Sequence, residues 1–406
     1  MRRLLAVCAF FLAVSGAAQT ADISGTTSAS VAEQQADEQA VGTPASTPPG
    51  EFPREPRDTL ETQIALARLN ISPGSIDGVS GPQTTAALTA FQMFNGLNAT
   101  GRLDAPTRAA LSLDSPPLAT RVITAGDIAS IQPLAPTWLG KSRQTTLAHA
   151  SVLEMAAEQA RASPALLRKL NPGVDWDTIK AGATITVPDA APGAARAQAV
   201  SREERKNDRP APLNPENRDC PGNAGILPDK PGFQVNSSDL SGRSDQADRS
   251  NQPGETARPA KPGKPEKAAR VVIFLEERVL EAFAADGRLL AHFPVSIARD
   301  VAKRPVGTLR VRVIAPNPNY TFDPAIFTES EEGRELGRKL IIPPGPNNPV
   351  GLVWIGLDLP GYGIHGTPDP EKVGRTESHG CFRLANWNAV ALLELVEIGT
   401  EVEVVP

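Results

Sequence analysis

The chain has 406 residues and a formal net charge of -5, so it is long enough for several domains and has no sequence-wide basic field. Aromatic residues make up only 4% of the chain, whereas it contains 39 prolines and 33 glycines, which predicts long stretches that bury too little apolar surface to fold. These properties exclude a nucleic-acid partner and favour compact modules joined by disordered linkers.

Residues 1–21 have the form of a cleavable export signal. Arg2 and Arg3 precede an apolar run that is followed by small residues, Ser15 to Ala18. The run is too short to span a bilayer, and no later segment approaches the roughly 18 to 20 continuous apolar residues of a transmembrane helix. We therefore expect an exported protein without a membrane span. A lipid-modified Cys8 is not favoured, because Val7 precedes it where a lipoprotein signal needs a small residue.

A three-helix module is predicted over residues 56–113, after a polar segment over residues 22–55 that is expected to be a disordered linker. Apolar residues recur at helical spacing from Leu60, and a second helix carries Phe91 on its apolar face. Asp104, followed closely by a proline, opens the third helix.

The residues of this module resemble the peptidoglycan-binding domain family. The match is carried by Ile76-Asp77-Gly78, Gly81-Pro82, Thr84, Phe91-Gln92, Gly96-Leu97, Gly101, Thr107 and Leu111. The resemblance implies a small all-α fold, peptidoglycan as the ligand and, for an exported chain, a periplasmic, cell-wall-associated location. The same residue types also build turns and core, so the motif does not identify contact residues.

A second module is predicted over residues 145–188. Two helical segments precede Asn171-Pro172 and a short strand that ends at Pro188. This order resembles the glycan-binding LysM modules, in which two helices pack on two strands, and it implies an α+β fold. The resemblance is partial, because residues 147–153 stand where the family has its first strand and glycine-aspartate turn.

Residues 189–268 are rich in proline, glycine, serine and charged residues, and they are predicted to form a second disordered linker. We expect the domains on either side of it to act semi-independently. Residues 269–406 change to β-branched runs and are predicted to form a β-rich, mainly sandwich-like domain. One helix is expected from about Asn386, as its N-cap, to Val396. Strands are expected at residues 271–274, 289–295, 309–314, 350–357 and 402–405.

The chemical signal is the clustering of histidine around Cys381. Two of the four histidines, His365 and His379, lie within sixteen positions of it (381 minus 365). A neighbouring imidazole can take the proton of a thiol, whose unperturbed pKa is about 8.5, and so create a nucleophile. Gly380 lets backbone approach a substrate closely, and the Cys381 amide is a natural oxyanion donor. The pattern predicts acyl transfer through a cysteine.

Three other interpretations of Cys381 are less favoured. A zinc site could use the cysteine and both histidines, with Asp369 and Glu371 nearby, but their spacing is not a known ligand pattern. A disulfide to Cys220 would join a segment without signs of a fixed fold. A purely structural thiol fits poorly with the polar neighbours of Cys381. We therefore expect no metal and no cofactor.

The residues around Cys381 resemble the YkuD-type L,D-transpeptidase family. Its signature, His-Gly-Thr followed by Ser-His-Gly-Cys-x-Arg, is met at residues 365–367 and 378–383. Two further segments match, at residues 304–308 with Val306 for the usual threonine and at residues 343–351 with Val350 for leucine.

The resemblance implies that the Cys381 thiolate attacks the meso-diaminopimelate carbonyl of a peptidoglycan stem tetrapeptide, releases D-Ala and forms a thioester. His365 would be the proton acceptor and donor. An amine would then take the acyl group and form a 3-3 cross-link, and a carbapenem would acylate the same thiol. The oxyanion pocket and substrate contacts would come from Ser378, His379, Gly380 and Arg383.

The acceptor remains open at this point. A second stem peptide, a lipoprotein lysine or water could each take the acyl group. With water the enzyme would be an L,D-carboxypeptidase or endopeptidase. A wall-binding protein with an inactive catalytic fold, holding peptidoglycan glycan strands or stem peptides, is the non-enzymatic alternative.

Overall fold

The computed structural model describes residues 52–192, 266–325, 331–378 and 380–406. The predicted export signal, Cys8, Cys220, His379 and most of the two predicted linkers lie outside these ranges. None of the described helices is long and apolar enough to cross a membrane. The described residues all belong to one compact unit.

Three helices form the first module, as the sequence predicts. Asp58 and Asp104 cap the first and third helices, because their carboxylates accept hydrogen bonds from backbone N–H groups in the first turn. Arg54 pairs with Leu113 through the backbone and with a glutamate of the first helix through its side chain. Ordered structure therefore begins before the predicted boundary at residue 56. The helices are α1 (Thr59–Arg68), α2 (Pro82–Phe94) and α3 (Ala105–Ala110).

The residues of the peptidoglycan-binding motif hold the turns of this module together. The Gln92 side chain is completely buried and donates a hydrogen bond to the Thr107 hydroxyl at 2.7 Å. It also accepts one from the Gly101 N–H at 2.8 Å. Gly101 has a positive φ of 64°, and a Cβ there would meet Thr85 at 2.7 Å, so glycine is needed at this turn.

The second module is larger than its predicted range, residues 145–188. Its last strand pairs antiparallel with a strand that lies well before residue 145, because Leu118 is opposite Pro188. None of the residues in that first strand is fully buried, and its sequence, Leu-Ala-Thr-Arg-Val, shows no clear alternation of apolar and polar residues. The two predicted helices are present. The elements are β1 (Leu118–Val122), α4 (Ala125–Ser130), α5 (Trp138–Ser142), α6 (Val152–Gln159), α7 (Pro164–Leu170) and β2 (Thr184–Pro188).

This module contains one segment in addition to its two strands and two longer helices. Residues 131–150, here named the α5 segment, connect α4 to α6 and contain the short helix α5. The two strands, the two longer helices and Gly126-Asp127 after β1 follow the order expected from the LysM resemblance. The assignment to that family stays a prediction.

The C-terminal domain, here called the catalytic domain after its predicted role, is built on one curled sheet of eight strands in the order β11-β10-β9-β6-β12-β3-β4-β5. Its two ends meet, because Ser296, just after β5, exchanges two backbone hydrogen bonds of 3.0 and 2.9 Å with Arg383 in β11. Phe293 and Phe382, from opposite ends of the sheet, lie in the same core. This confirms the β-rich prediction. The strands are β3 (Arg270–Phe274), β4 (Val279–Phe283), β5 (Leu289–Pro294), β6 (Gly307–Pro316), β9 (Val353–Leu357), β10 (Gly363–His365), β11 (Phe382–Arg383) and β12 (Glu401–Val405).

A small hairpin and two helices complete the domain. Strands β7 (Tyr320–Phe322) and β8 (Leu340–Ile342) pair with each other, and α8 (Glu331–Leu336) lies between them in the chain. Helix α9 (Asn386–Leu395) is the predicted one, but the predicted N-cap is wrong. Ala385 occupies that position, because the Asn386 side chain makes its hydrogen bonds elsewhere.

The N-terminal modules pack against the catalytic domain, so the expected semi-independence is wrong for the described residues. Ser72 and Asn70 form backbone hydrogen bonds of 2.8 and 3.0 Å with His292 in β5. In the α5 segment, Trp138 stacks on Phe322 with 4.4 Å between ring centroids. The predicted linker is also shorter at both ends, since its first and last residues bond to the modules they adjoin.

Candidate active site

The sheet brings Cys381 and His365 to the same face. Strands β10 and β11 are parallel neighbours, with Ile364 opposite Phe382 and His365 opposite Arg383. Because side chains alternate along a strand, the two apolar residues enter the main core and the two polar residues face the other way. Cys381 directly precedes β11 and belongs to the apolar cluster on this second face. The two residues singled out from the sequence therefore share one side of adjacent strands.

His365 is held in a defined tautomer. Its Nδ1 lies 2.6 Å from the carbonyl oxygen of Gly366, and because a carbonyl only accepts, Nδ1 carries the proton. Nε2 is then the basic nitrogen. The ring stacks on Trp354, with 5.6 Å between centroids and 22° between planes. Gly363 permits this stack, because a Cβ there would lie 2.7 Å from the indole.

The surroundings of His365 keep its ring neutral. Burial, and secondarily the positive charge of Arg383, lower the pKa of His365 to about 3, against a smaller opposing effect of the hydrogen bond to Gly366. A neutral imidazole is the form that can accept a proton from a thiol. The imidazolium would become favourable only together with an adjacent negative charge.

The thiol of Cys381 lies in a confined environment. Its side chain is buried, and Sγ lies 3.6 Å from the carbonyl oxygen of Gly361, in the turn between β9 and β10. Burial, followed by the negative charge of Cys381 and of Asp300, raises the pKa of Tyr362 in the same turn. Gly361 and Tyr362 were not among the predicted site residues. Their only signal is that Tyr362 precedes the strand that carries His365.

Ser378 shapes the turn before the nucleophile. Its hydroxyl donates to the carbonyl of Cys381 at 2.6 Å and accepts from the N–H of Gly380 at 3.2 Å. Its own N–H donates to the carbonyl of Ile297 at 2.7 Å, which ties the turn to the segment after β5. Ser378 and Gly380 are both buried next to Cys381. His379, between them, lies outside the described residues.

Asn386 is a site residue that the sequence analysis assigned to a helix cap instead. It is completely buried, and its Oδ1 accepts a hydrogen bond from the Leu352 N–H at 3.1 Å. Gly351 and Gly366 pack against this oxygen so closely that a Cβ would lie 2.0 or 2.3 Å from it. Asn386 therefore supports the peptide whose carbonyl holds His365. No short-range sequence pattern reveals this role.

No described residues form a group of three or more histidine, cysteine and acidic side chains that could hold a metal ion. The suggested disulfide partner Cys220 is outside the described part of the chain, so that pairing stays untested. Asp369, considered as a zinc ligand, lies 3.2 Å from the Lys372 ammonium. Cys381 and the neutral ring of His365 thus lie on one face of neighbouring strands.

Family comparison agrees with this class of site. Residues 268–404 match the YkuD family, described as the L,D-transpeptidase catalytic domain. Residues 57–111 match the family described as "Putative peptidoglycan binding domain". The chain thus combines a YkuD L,D-transpeptidase catalytic domain with an N-terminal peptidoglycan-binding domain. The predicted resemblances to these two families are confirmed.

The curated relatives described here match about a third of this chain. "Putative L,D-transpeptidase in ATP synthase subunits region ORF 5" of Fuscovulum blasticum is 34% identical over 130 residues, which is 32% of this chain and 65% of that protein. "Putative L,D-transpeptidase YqjB" of Bacillus subtilis is 32% identical, over 30% of this chain and 62% of that protein. The chain thus spans less than two thirds of the length of either relative.

A solved L,D-transpeptidase from Mycobacterium smegmatis is 21% identical, with a TM-score of 0.27, and the match covers 34% of this chain and 58% of that one.

Proposed function

We propose that the protein is a peptidoglycan L,D-transpeptidase that uses Cys381 as a covalent nucleophile. The observation that carries the proposal is the placement of Cys381 and His365 on one face of adjacent parallel strands, with His365 Nδ1 bound to the Gly366 carbonyl. That hydrogen bond leaves Nε2 as the base. The match of this domain to the YkuD family supports the reaction class.

In the first half-reaction, His365 Nε2 takes the thiol proton and the sulfur attacks the meso-diaminopimelate carbonyl of a stem tetrapeptide. The tetrahedral oxyanion collapses, the carbon–nitrogen bond to D-Ala breaks, and the imidazolium gives its proton to the leaving amine. A thioester on Cys381 remains. In the second half-reaction an acceptor amine attacks the thioester, His365 takes the proton of that amine, and the thiolate leaves.

The turn that precedes Cys381 provides the surroundings of the oxyanion. Its fixed shape, set by the two hydrogen bonds of Ser378, supports a preorganised pocket. We assign oxyanion and substrate contacts to Ser378, His379 and Gly380. Arg383, half-exposed on the same face as His365, is assigned to a substrate carboxylate.

The wider setting of the reaction follows from the peptidoglycan-binding domain. A module of that family, docked on the catalytic domain, supports the proposal that the enzyme works at the cell wall after export. Peptidoglycan glycan strands and stem peptides are then its partners. A second stem peptide is the acceptor that we propose, which gives a 3-3 cross-link.

The direct test is incubation of the purified full chain with disaccharide tetrapeptide, followed by mass spectrometry of the products. A cross-linked dimer that disappears in Cys381→Ala is the expected result. Tripeptide alone would identify a hydrolase, and transfer to a lipoprotein lysine would require that acceptor to be added. Unchanged substrate with the wild-type chain would contradict the proposal and favour a binding protein.

A further inference from the structure

A side chain of the second module reaches the support of His365. Glu158, on α6, accepts a hydrogen bond from Asn386 Nδ2 at 2.9 Å. The other amide proton of Asn386 goes to the carbonyl of Pro346 at 3.0 Å. Its Oδ1 accepts from the Leu352 N–H. Both amide protons and the amide oxygen are therefore engaged, and this completely buried side chain has one favoured orientation.

The orientation of Asn386 is transmitted to the histidine through Gly366. Asn386 Oδ1 is in direct contact with the Gly366 backbone, where there is no room for a Cβ. The Gly366 carbonyl in turn holds His365 Nδ1 at 2.6 Å. Rotation of the amide would remove the packing against this peptide and release the ring from its fixed position.

We propose that Glu158 is a positioning residue for His365, which acts through Asn386 and Gly366 although it lies outside the catalytic domain. This inference rests on the proposed role of His365 as the base. Without the Glu158 carboxylate, an amide proton of Asn386 loses its acceptor, which is costly for a completely buried side chain. The docked module thereby becomes part of the catalytic apparatus.

The neighbouring residue on α6 offers a matched control. Glu154 lies one turn before Glu158, and its carboxylate accepts from the side chain of Asn347 in the catalytic domain. It crosses the same interface without contacting Asn386. Among the described residues, the other titratable group beside Glu158 is His149, whose Nε2 lies 3.4 Å from the second carboxylate oxygen. Replacing Glu154 therefore weakens the interface without removing a hydrogen bond of Asn386.

The experiment compares full-length Glu158→Ala, Glu158→Gln and Glu154→Ala with the wild type on disaccharide tetrapeptide. We expect Glu158→Ala to lower kcat about ten-fold at unchanged KM, because a charge-assisted hydrogen bond is lost from a support of the base. Glu158→Gln should restore most of kcat, since its amide oxygen can still accept from Asn386. Glu154→Ala should keep the wild-type kcat. Equal losses in both alanine variants, or a loss only in KM, would overturn the inference.

A second readout separates this inference from the proposed reaction. The rate of Cys381 alkylation by iodoacetamide at pH 7, measured on the peptide that contains Cys381, reports the reactivity of the thiol without any substrate. Slower alkylation in Glu158→Ala than in Glu154→Ala supports the positioning role even if the wild type turns over no tetrapeptide. In that case the proposed function alone would fail. Equal alkylation rates would reject the positioning role.

Discussion

The neutrality of His365 has a consequence for stability that can be measured. The unfolded chain takes up a proton at the ordinary pKa of 6.5, whereas the folded protein does so only at a pKa of about 3. The unfolded state therefore binds more protons between these values, and stability falls as the pH falls through this window. The loss between pH 6.5 and pH 5 should be about 2 kcal/mol.

Denaturant unfolding at these two pH values tests the expectation. Measurements in a Cys381→Ser background remove the titration of the thiol, and His365→Asn in the same background removes that of the imidazole. The His365→Asn variant should lose less stability on acidification, by about 2 kcal/mol. Identical losses in both proteins would show that His365 is not held neutral by the fold.

The acyl chemistry of Cys381 predicts a covalent adduct with a carbapenem. The Cys381 sulfur, once His365 has taken its proton, can open the strained β-lactam carbonyl and retain the acyl group as a thioester. Intact mass spectrometry of the wild-type chain should show the added mass of the drug. Cys381→Ser should show none, and His365→Ala should be acylated at least about a hundred-fold more slowly than the wild type. An adduct that persists in Cys381→Ser would place the nucleophile elsewhere.

At the scale of elements, the α5 segment supports the β7–β8 hairpin. Trp138 stacks on Phe322, and the backbone N–H groups of Trp138 and Leu139 both donate to the carboxylate of Glu332 at 2.8 Å. We expect Trp138→Ala to increase hydrogen exchange in β7 and β8, with a loss of about 1 to 2 kcal/mol in local stability.

A second aromatic contact between the modules serves as the control for this prediction. Phe94, at the end of α2, lies 5.8 Å from Phe283 in β4, centroid to centroid. Phe94→Ala removes an aromatic pair at the same interface, but its partner lies in the eight-stranded sheet and not in the separate β7–β8 hairpin. Exchange in β7 and β8 should stay at the wild-type rate. A similar rise in both variants would mean that docking as a whole, and not the α5 segment, protects the hairpin.

Elements with a strong internal period were predictable, and elements defined by tertiary contacts were not. The apolar face of α2 and the Asp104 cap of α3 follow from local sequence alone. Strand β1 was not predicted, because most of its side chains are half-exposed and show no alternating pattern. Asn386 fits the residue preference of an N-cap, but Glu158 and the backbone of Leu352 compete for its side chain. Motif matching found Cys381 and His365, whereas their support depends on residues distant in the chain.

At the scale of the whole molecule, the two N-terminal modules behave as one body. Ile64 and Phe91 of the first module share a hydrophobic core with Leu167 and Ile185 of the second. A backbone bridge between Ile76 and the residues just before α7 adds to this contact. The two modules predicted to bind the cell wall thus form a single packed unit, which holds a fixed position relative to the catalytic domain.

This packing predicts that the chain stays assembled when its connection is cut. The α5 segment, β5 and α6 contribute contacts across the interface, including the hydrogen bonds of His292 and Leu147 with the opposite side. A protease site inserted between residues 193 and 265, followed by cleavage, should give two fragments that co-elute in size-exclusion chromatography and retain wild-type turnover. Glu158→Ala in the cleaved protein should lower turnover as in the intact chain. Separation of the fragments at micromolar concentration would show that the linker, and not the interface, holds the N-terminal body in place.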